Sequence, residues 1–204
     1  MNRIAVFASG NGSNFQSLID ATVSGQLQAD IQLLITDRPA AYAVTRATEA
    51  GIPVAAFRPK EFESKNAYEE WIIEKLVEAK IDWIVLAGYM RIVGKKLLEA
   101  FPNRIINLHP SLLPSFQGKN AIEQAYEYGV KWTGVTVHFV DEGVDTGPII
   151  LQEVIRIQDE DTIETLEKRI HQVEHQLLVK AVELVLHQSY QIQKRRVKLS
   201  KEVI

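Results

Sequence analysis

The sequence predicts an α/β protein: a mostly parallel, twisted sheet with helices on both faces and an antiparallel strand late in the chain. Three observations carry this. Apolar runs at 4–8 (Ile-Ala-Val-Phe-Ala) and 82–87 (Asp-Trp-Ile-Val-Leu-Ala) stop just before Ser9-Gly10 and Gly88, the pattern of strands buried on both faces. Stretches with helical spacing alternate with such runs, which implies crossover units and a parallel sheet. Two late strand-like stretches are joined by a short glycine-rich turn, and a parallel crossover needs about a dozen residues or more, so at least one late pairing is antiparallel.

In order, residues 4–8 form the first strand and 10–14 a glycine turn. Residues 14–23 have helical spacing, 31–36 make the second strand, and 40–50 a helix stopped by Gly51. Residues 53–57 make a third strand, which Pro53 sends to an edge or a strand start. Residues 61–80 read as one long helix, with Trp71, Ile72, Leu76 and Val77 as its apolar stripe. The strand at 82–87 precedes a loop at 88–91 and a short helix at 93–100. Ile105 and Ile106, β-branched and apolar, begin another strand that Pro110 ends. Residues 119–128 form a helix closed by Gly129. Residues 133–140 alternate, Val135, Val137 and Phe139 against Thr136 and His138, which predicts a half-solvated strand. A turn at 141–147, a strand at 149–157 and a long helix at 162–187 complete a Rossmann-like order.

A length of 204 residues fits one domain with its own core, 1–190, and a C-terminal tail at 191–204 packed on it or trailing it. Lysine and arginine number 23 and aspartate and glutamate 26, so the net charge is −3, with no electrostatic footprint for nucleic acid or an anionic membrane. The basic run Lys194-Arg195-Arg196-Val197-Lys198 reads as a solvated terminal strand or a frayed end. Cysteine is absent, which excludes disulfides, thiolate catalysis and cysteine-ligated metals and fits a cytoplasmic setting. The first apolar run is too short for a membrane span and lacks a signal-peptide pattern after it.

Three motifs carry chemistry. Gly10-Asn11-Gly12-Ser13-Asn14 opens a helix, where free N–H groups and the helix dipole suit an anion; the plainer reading is a tight turn capped by Ser13 or Asn14. It departs from a dinucleotide fingerprint, because Phe15 stands at the third glycine, with Asp37 the candidate acidic residue. Asn107 and His109 lie two apart at a strand end, so amide and imidazole share a face where α/β sheets bind ligands. The loop at 141–148 offers three carboxylates, Asp141, Glu142 and Asp145, after the following strand. An Asn–His–Asp set without a protein nucleophile suits direct transfer between two bound substrates, the histidine moving protons and the amide and imidazolium stabilising an oxyanion. A metal at His109, His138 and Asp145 is the rival, but the spacing matches no zinc pattern. His171, Glu174 and His175 share one face of the last helix and read unaided as a solvated face or an intrahelical pair.

The stretches Ala8-Ser9-Gly10-Asn11-Gly12-Ser13-Asn14, Leu86-Ala87-Gly88-Tyr89-Met90-Arg91-Ile92, Ile106-Asn107-Leu108-His109-Pro110-Ser111-Leu112-Leu113-Pro114 and the segment from His138 to Pro148 resemble the folate-dependent formyltransferases. The first loop narrows the resemblance to the phosphoribosylglycinamide formyltransferase family. The resemblance runs in order from residue 4 to about 190. It implies an enzyme of de novo purine synthesis that passes the formyl group of 10-formyltetrahydrofolate, a cosubstrate, to the amine of glycinamide ribonucleotide, with no metal. It implies Asn107, His109 and Asp145 as the catalytic set, and Gly12, Ser13, Asn14, His171 and Glu174 for the ribonucleotide. For folate it implies Lys65, Met90, Arg91, Ile92, Val93, Asn107, Asp141, Glu142, Gly143 and Val144. The partners expected are the two small molecules, without nucleic acid or membrane, and a homodimer is compatible. Lys65 stands where some members carry arginine, and Gln117 where proline is usual, a change expected to loosen the loop before Gly118. Other readings are a formyltetrahydrofolate hydrolase, which the phosphate loop disfavours, and a methionyl-tRNA formyltransferase, for whose second domain the chain has no room. A silent nucleotide-binding module would have no use for the Asn–His–Asp set, and a nicotinamide dehydrogenase is weakened by Phe15.

Overall fold

The computed structural model describes residues 1–199. The chain divides into two compact units, Met1–Asn107 and Leu108–Ile204. Residues 200–204 of the expected tail lie outside the described residues.

The first unit alternates strand and helix: β1 (Asn2–Phe7), α1 (Ser13–Val23), β2 (Ala29–Thr36), α2 (Tyr42–Glu49), β3 (Val54–Ala56), α3 (Lys65–Glu78), β4 (Trp83–Leu86), α4 (Lys95–Ala100) and the start of β5 (Ile105–His109). The strands lie in the order β3-β2-β1-β4-β5, with β3–β2, β2–β1, β1–β4 and β4–β5 all paired in parallel. Ile4, Val6, Phe7, Ile84 and Val85 are fully buried, as expected where side chains of both strand faces are covered. Strand order reverses between β1 and β4, so the crevice beyond their carboxyl ends is the natural ligand position. The loops at 8–12 and 87–94 follow these two strands. Pro53 precedes an edge strand, as its missing N–H requires.

The expected helix at 61–80 is shorter. A 3₁₀ turn at Pro59–Glu61 comes first, Phe62 is extended, and the Ser64 side chain accepts from the Ala67 amide to start α3. Phe62 instead joins Phe57, Tyr68 and Trp71 in an aromatic cluster. Val77 is 65% exposed and leaves the expected stripe, because it sits about 100° around the helix from buried Leu76.

The second unit holds the end of β5, α5 (Ala121–Tyr128), β6 (Trp132–Phe139), β7 (Ile149–Arg156), α6 (Ile163–His187), β8 (Tyr190–Gln193) and β9 (Arg196–Leu199). β6 and β7 pair antiparallel, as the short turn between them requires. The order is β6-β7-β9-β8; β8 and β9 form a hairpin, and β9 lies parallel to β7. The basic run is thus the exposed hairpin turn at Lys194 and Arg195 and the start of β9. α6 starts in a reciprocal cap between Thr162 and Thr165 and buries Leu166, Ile170, Leu177, Leu178 and Val182. β6 overturns its expectation: every residue from Thr133 to Phe139 is buried. Thr136 and His138 mimic a solvent face in sequence, but their polar atoms are met inside. The Thr136 hydroxyl donates to the Ser111 carbonyl and accepts from the Leu113 amide, and His138 Nδ1 lies 2.8 Å from the Phe139 carbonyl.

Candidate active site

The turn after β1 is shaped by Gly12, the residue before α1. Its φ is 75°, and a Cβ there would stand 2.8 Å from Ala43 Cβ, so glycine alone fits. No side chain caps the helix, contrary to the turn capped by Ser13 or Asn14. The first-turn amides of a helix lack an intrahelical acceptor, and its dipole is positive at that end. Arg46 on α2 holds the turn from outside. Its Nε donates to the Asn11 carbonyl at 2.9 Å, Nη2 to Asn11 Oδ1 at 3.0 Å and Nη1 to Gln16 Oε1 at 3.0 Å. The guanidinium lies 4.8 Å from the Tyr42 ring centroid. Phe15, at the position of a third fingerprint glycine, is fully buried core. Asp37 is no ribose partner: it is buried, with Oδ1 accepting from the Ser9 hydroxyl at 2.5 Å and Oδ2 from Arg91 Nε at 2.8 Å.

The loop after β4 is tied to the same place. Ser9 N–H donates to the Gly88 carbonyl at 3.1 Å, and the Met90 amide donates to Ser9 Oγ at 2.9 Å. Met90 and Ile92 side chains are 56% and 62% exposed, while Val93 is buried. The Gly94 amide donates to the buried Glu69 carboxylate at 2.7 Å, and Lys65 Nζ lies 3.7 Å from the same oxygen. Lys65 lacks the arginine fork, but its ammonium is held by Glu69. Asn107, half-buried, lies opposite Leu86 in the β4–β5 register.

In the second unit, His109 ends β5 and is buried. Its Nε2 lies 2.8 Å from the Phe116 carbonyl and its Nδ1 3.3 Å from Asp145 Oδ2. The structure thus picks Asp145 from the three loop carboxylates as the imidazole's partner. His138 Nε2 stands 3.6 Å from the other oxygen, Oδ1. The Gly118 amide donates to Asp145 Oδ2 at 2.8 Å, and the Gln117 side chain donates to the Asp145 carbonyl at 3.1 Å. Gln117 therefore ties the loop where it was expected to loosen it. Burial pushes the Asp145 carboxyl up, but His138, the Gly118 N–H and the charge of His109 together hold it below the usual carboxylate range. Asp145 has φ 54°, a left-handed conformation that is uncommon outside glycine and that these contacts hold in place.

Both ring nitrogens of His109 face oxygens, so the imidazole is held between the Phe116 carbonyl and the Asp145 carboxylate. Ser111 is no activated nucleophile, since its hydroxyl donates to the Ser115 carbonyl at 2.5 Å.

The loop at 141–144 is closed on itself. Asp141 Oδ1 accepts from the Gly143 amide at 3.1 Å and the Thr146 hydroxyl at 2.6 Å. A Cβ at Gly147 would overlap the Phe139 carbonyl oxygen. Asp141 is thereby a turn former, while Glu142, Gly143 and Val144 are exposed. On α6, His171 Nδ1 lies 2.8 Å from Glu174 Oε2; the carboxylate is buried and the imidazole half-exposed. The hydrogen bond to Glu174 raises the His171 pKa against the opposing effect of burial. The predicted intrahelical pair is therefore present.

Sequence reasoning missed Arg46, Ser9 and Glu69 and misread Asp37. Their contacts span 25 to 81 positions and follow no period.

The formyl transferase family model matches residues 2–182. Phosphoribosylglycinamide formyltransferase of Bacillus subtilis (strain 168) is 51% identical over 175 residues, covering 86% of this chain and 90% of that one. The solved structure of glycinamide ribonucleotide transformylase 1 from Symbiobacterium toebii superposes with a TM-score of 0.95 at 43% identity, over 98% of this chain and 94% of that one. A formyltetrahydrofolate deformylase from Pseudomonas syringae pv. tomato gives 0.89 at 28% identity, over 97% of this chain and 65% of that one.

Proposed function

The chain belongs to the formyl transferase family, and from that premise we propose that it transfers the formyl group of 10-formyltetrahydrofolate to the amine of glycinamide ribonucleotide in de novo purine biosynthesis. The observation that carries the reading is the pairing of buried His109 with Asp145 in a family member half identical to a phosphoribosylglycinamide formyltransferase. The reading assigns the ribonucleotide phosphate to the amides of Gly12, Ser13 and Asn14, where the helix dipole favours an anion. His171 and Glu174 are assigned to the same substrate. Lys65, residues 90–93, Asn107 and residues 141–144 are assigned to the folate, which is consumed as a cosubstrate.

The substrate amine attacks the formyl carbon. A new C–N bond forms, and negative charge collects on the formyl oxygen. The Asn107 amide and the doubly protonated His109 donate to that oxygen, with the Nε2 proton exchanging the Phe116 carbonyl for it. Asp145 stays ionised and supports the imidazolium. The intermediate collapses by breaking the bond to the folate nitrogen. One proton leaves the attacking amine and one reaches the departing nitrogen, through water or His109. No metal enters this route. Among the described residues no helix is long and apolar enough to cross a membrane. The reading places a soluble enzyme with small-molecule substrates in the cytoplasm.

The deformylase likeness makes water the competing acceptor. With labelled formyl carbon, the label should appear on the ribonucleotide and only when it is present. Label released as formate without ribonucleotide would replace this reading with hydrolysis, and tight ribonucleotide binding with no label moved would leave a binding module.

A further inference from the structure

Two buried carboxylates that take no part in the proposed chemistry hold the loop after β4 at both ends. Asp37 lies at the end of β2 and Glu69 on α3, and they are 4% and 2% exposed. A buried carboxylate is costly unless its oxygens are met. Asp37 meets both of its own: Oδ2 takes Arg91 Nε from the loop after β4, and Oδ1 takes the Ser9 hydroxyl from the loop after β1. The Met90 amide donates to that same hydroxyl, so the direction of the chain is fixed. Ser9 gives its single proton to Asp37 and accepts the Met90 N–H. Such a chain polarises along its length and is anchored on a charge. The Ser9 amide adds a bond to the Gly88 carbonyl. At the far end the Gly94 amide donates to Glu69, and a Cβ at position 94 would overlap that carboxylate.

Apolar packing does little of this work. Tyr89 meets Phe7 edge-on with ring centroids 5.2 Å apart, but Met90 and Ile92 point outward and are mostly exposed. A loop that recognises a ligand through its backbone needs its amides fixed before the ligand arrives. We propose that Asp37, acting through Ser9 and Arg91, is a positioning residue that sets the backbone of residues 88–91 for the cosubstrate, with Glu69 fixing the end of the loop at Gly94. This rests on the assignment of residues 90–93 to the folate.

Two readouts test it. Hydrogen exchange at the Met90 amide of the ligand-free protein reads the clamp itself, and steady-state kinetics read its use. In Asp37→Asn the Met90 amide should exchange about tenfold faster, and KM for 10-formyltetrahydrofolate should rise about tenfold while KM for glycinamide ribonucleotide stays within about twofold. Ser9→Ala removes the acceptor of the Met90 amide but keeps the Arg91–Asp37 pair, so Met90 exchange should rise at least as much as in Asp37→Asn, while KM for the cosubstrate rises by less. It also decides the matter if Asp37→Asn fails to fold. Unchanged Met90 exchange in a folded variant overturns the clamp. Both KM values rising together, or a fall in melting temperature with neither KM changed, overturns the positioning role. A wild-type protein that turns over no folate sinks the functional reading instead, and Met90 exchange then decides the clamp alone.

Discussion

Asp145 is the most constrained residue of the candidate site. Its backbone is left-handed, two histidines face its two oxygens, and an amide from the preceding loop completes the shell. Its folded pKa is depressed, so its charge contributes stability above the ordinary carboxylate value of about 3.9, and this is lost as pH falls through the folded value. The carboxylate therefore stays charged across the working range. Asp145→Asn should lower kcat by roughly a hundredfold or more, and the loss should not shrink between about pH 6 and 9, because the carboxylate it replaces is charged throughout. A loss that shrinks steadily with rising pH would contradict this. His171 has the opposite sign. Its folded pKa is raised by Glu174, so the pair stabilises fully below the ordinary histidine value of about 6.5 and fades as pH rises through the folded value. The melting temperatures of wild type and His171→Ala should differ more at about pH 5.5 than at about pH 9. An equal difference at both would show that the pair is not ionic.

At the scale of elements, the first unit places two loops beyond a switch in strand order, and each is braced by a side chain from another element. Arg46 braces the turn at 10–14. Removing it as Arg46→Ala takes away two bonds to Asn11 and a nearby positive charge, so KM for the ribonucleotide should rise about tenfold with little change in KM for folate. Equal KM values in the variant and the wild type would make Arg46 purely architectural. The strands of this unit were legible because parallel strands buried on both faces read as unbroken apolar runs. β6 was misread because alternation ordinarily signals a solvent face, and here Thr136 and His138 spend their polar atoms on buried partners. α3 began late because Ser64, not Glu61, supplies the helix start.

Over the whole molecule, the sequence proposed residues for the chemistry but not the contacts around them. Strand periodicity put Asn107 and His109 forward as candidates, and the loop at 141–147 offered carboxylates. Only the fold could say which carboxylate reaches the imidazole. Gln117 was expected to slacken its loop and instead bonds across to Asp145, because a departure from a motif carries no record of its new partner. The braces at Arg46, Asp37 and Glu69 come from remote positions and leave no local signal.

The central claim is that the His109–Asp145 pair moves a formyl group between two bound small molecules. A single-turnover experiment with both substrates saturating isolates that step from binding and release. His109→Ala should slow formation of the formylated ribonucleotide by roughly a hundredfold or more while both substrates still bind. A rate within about twofold of wild type would contradict the account, because no single catalytic interaction of the expected size would then reside in His109.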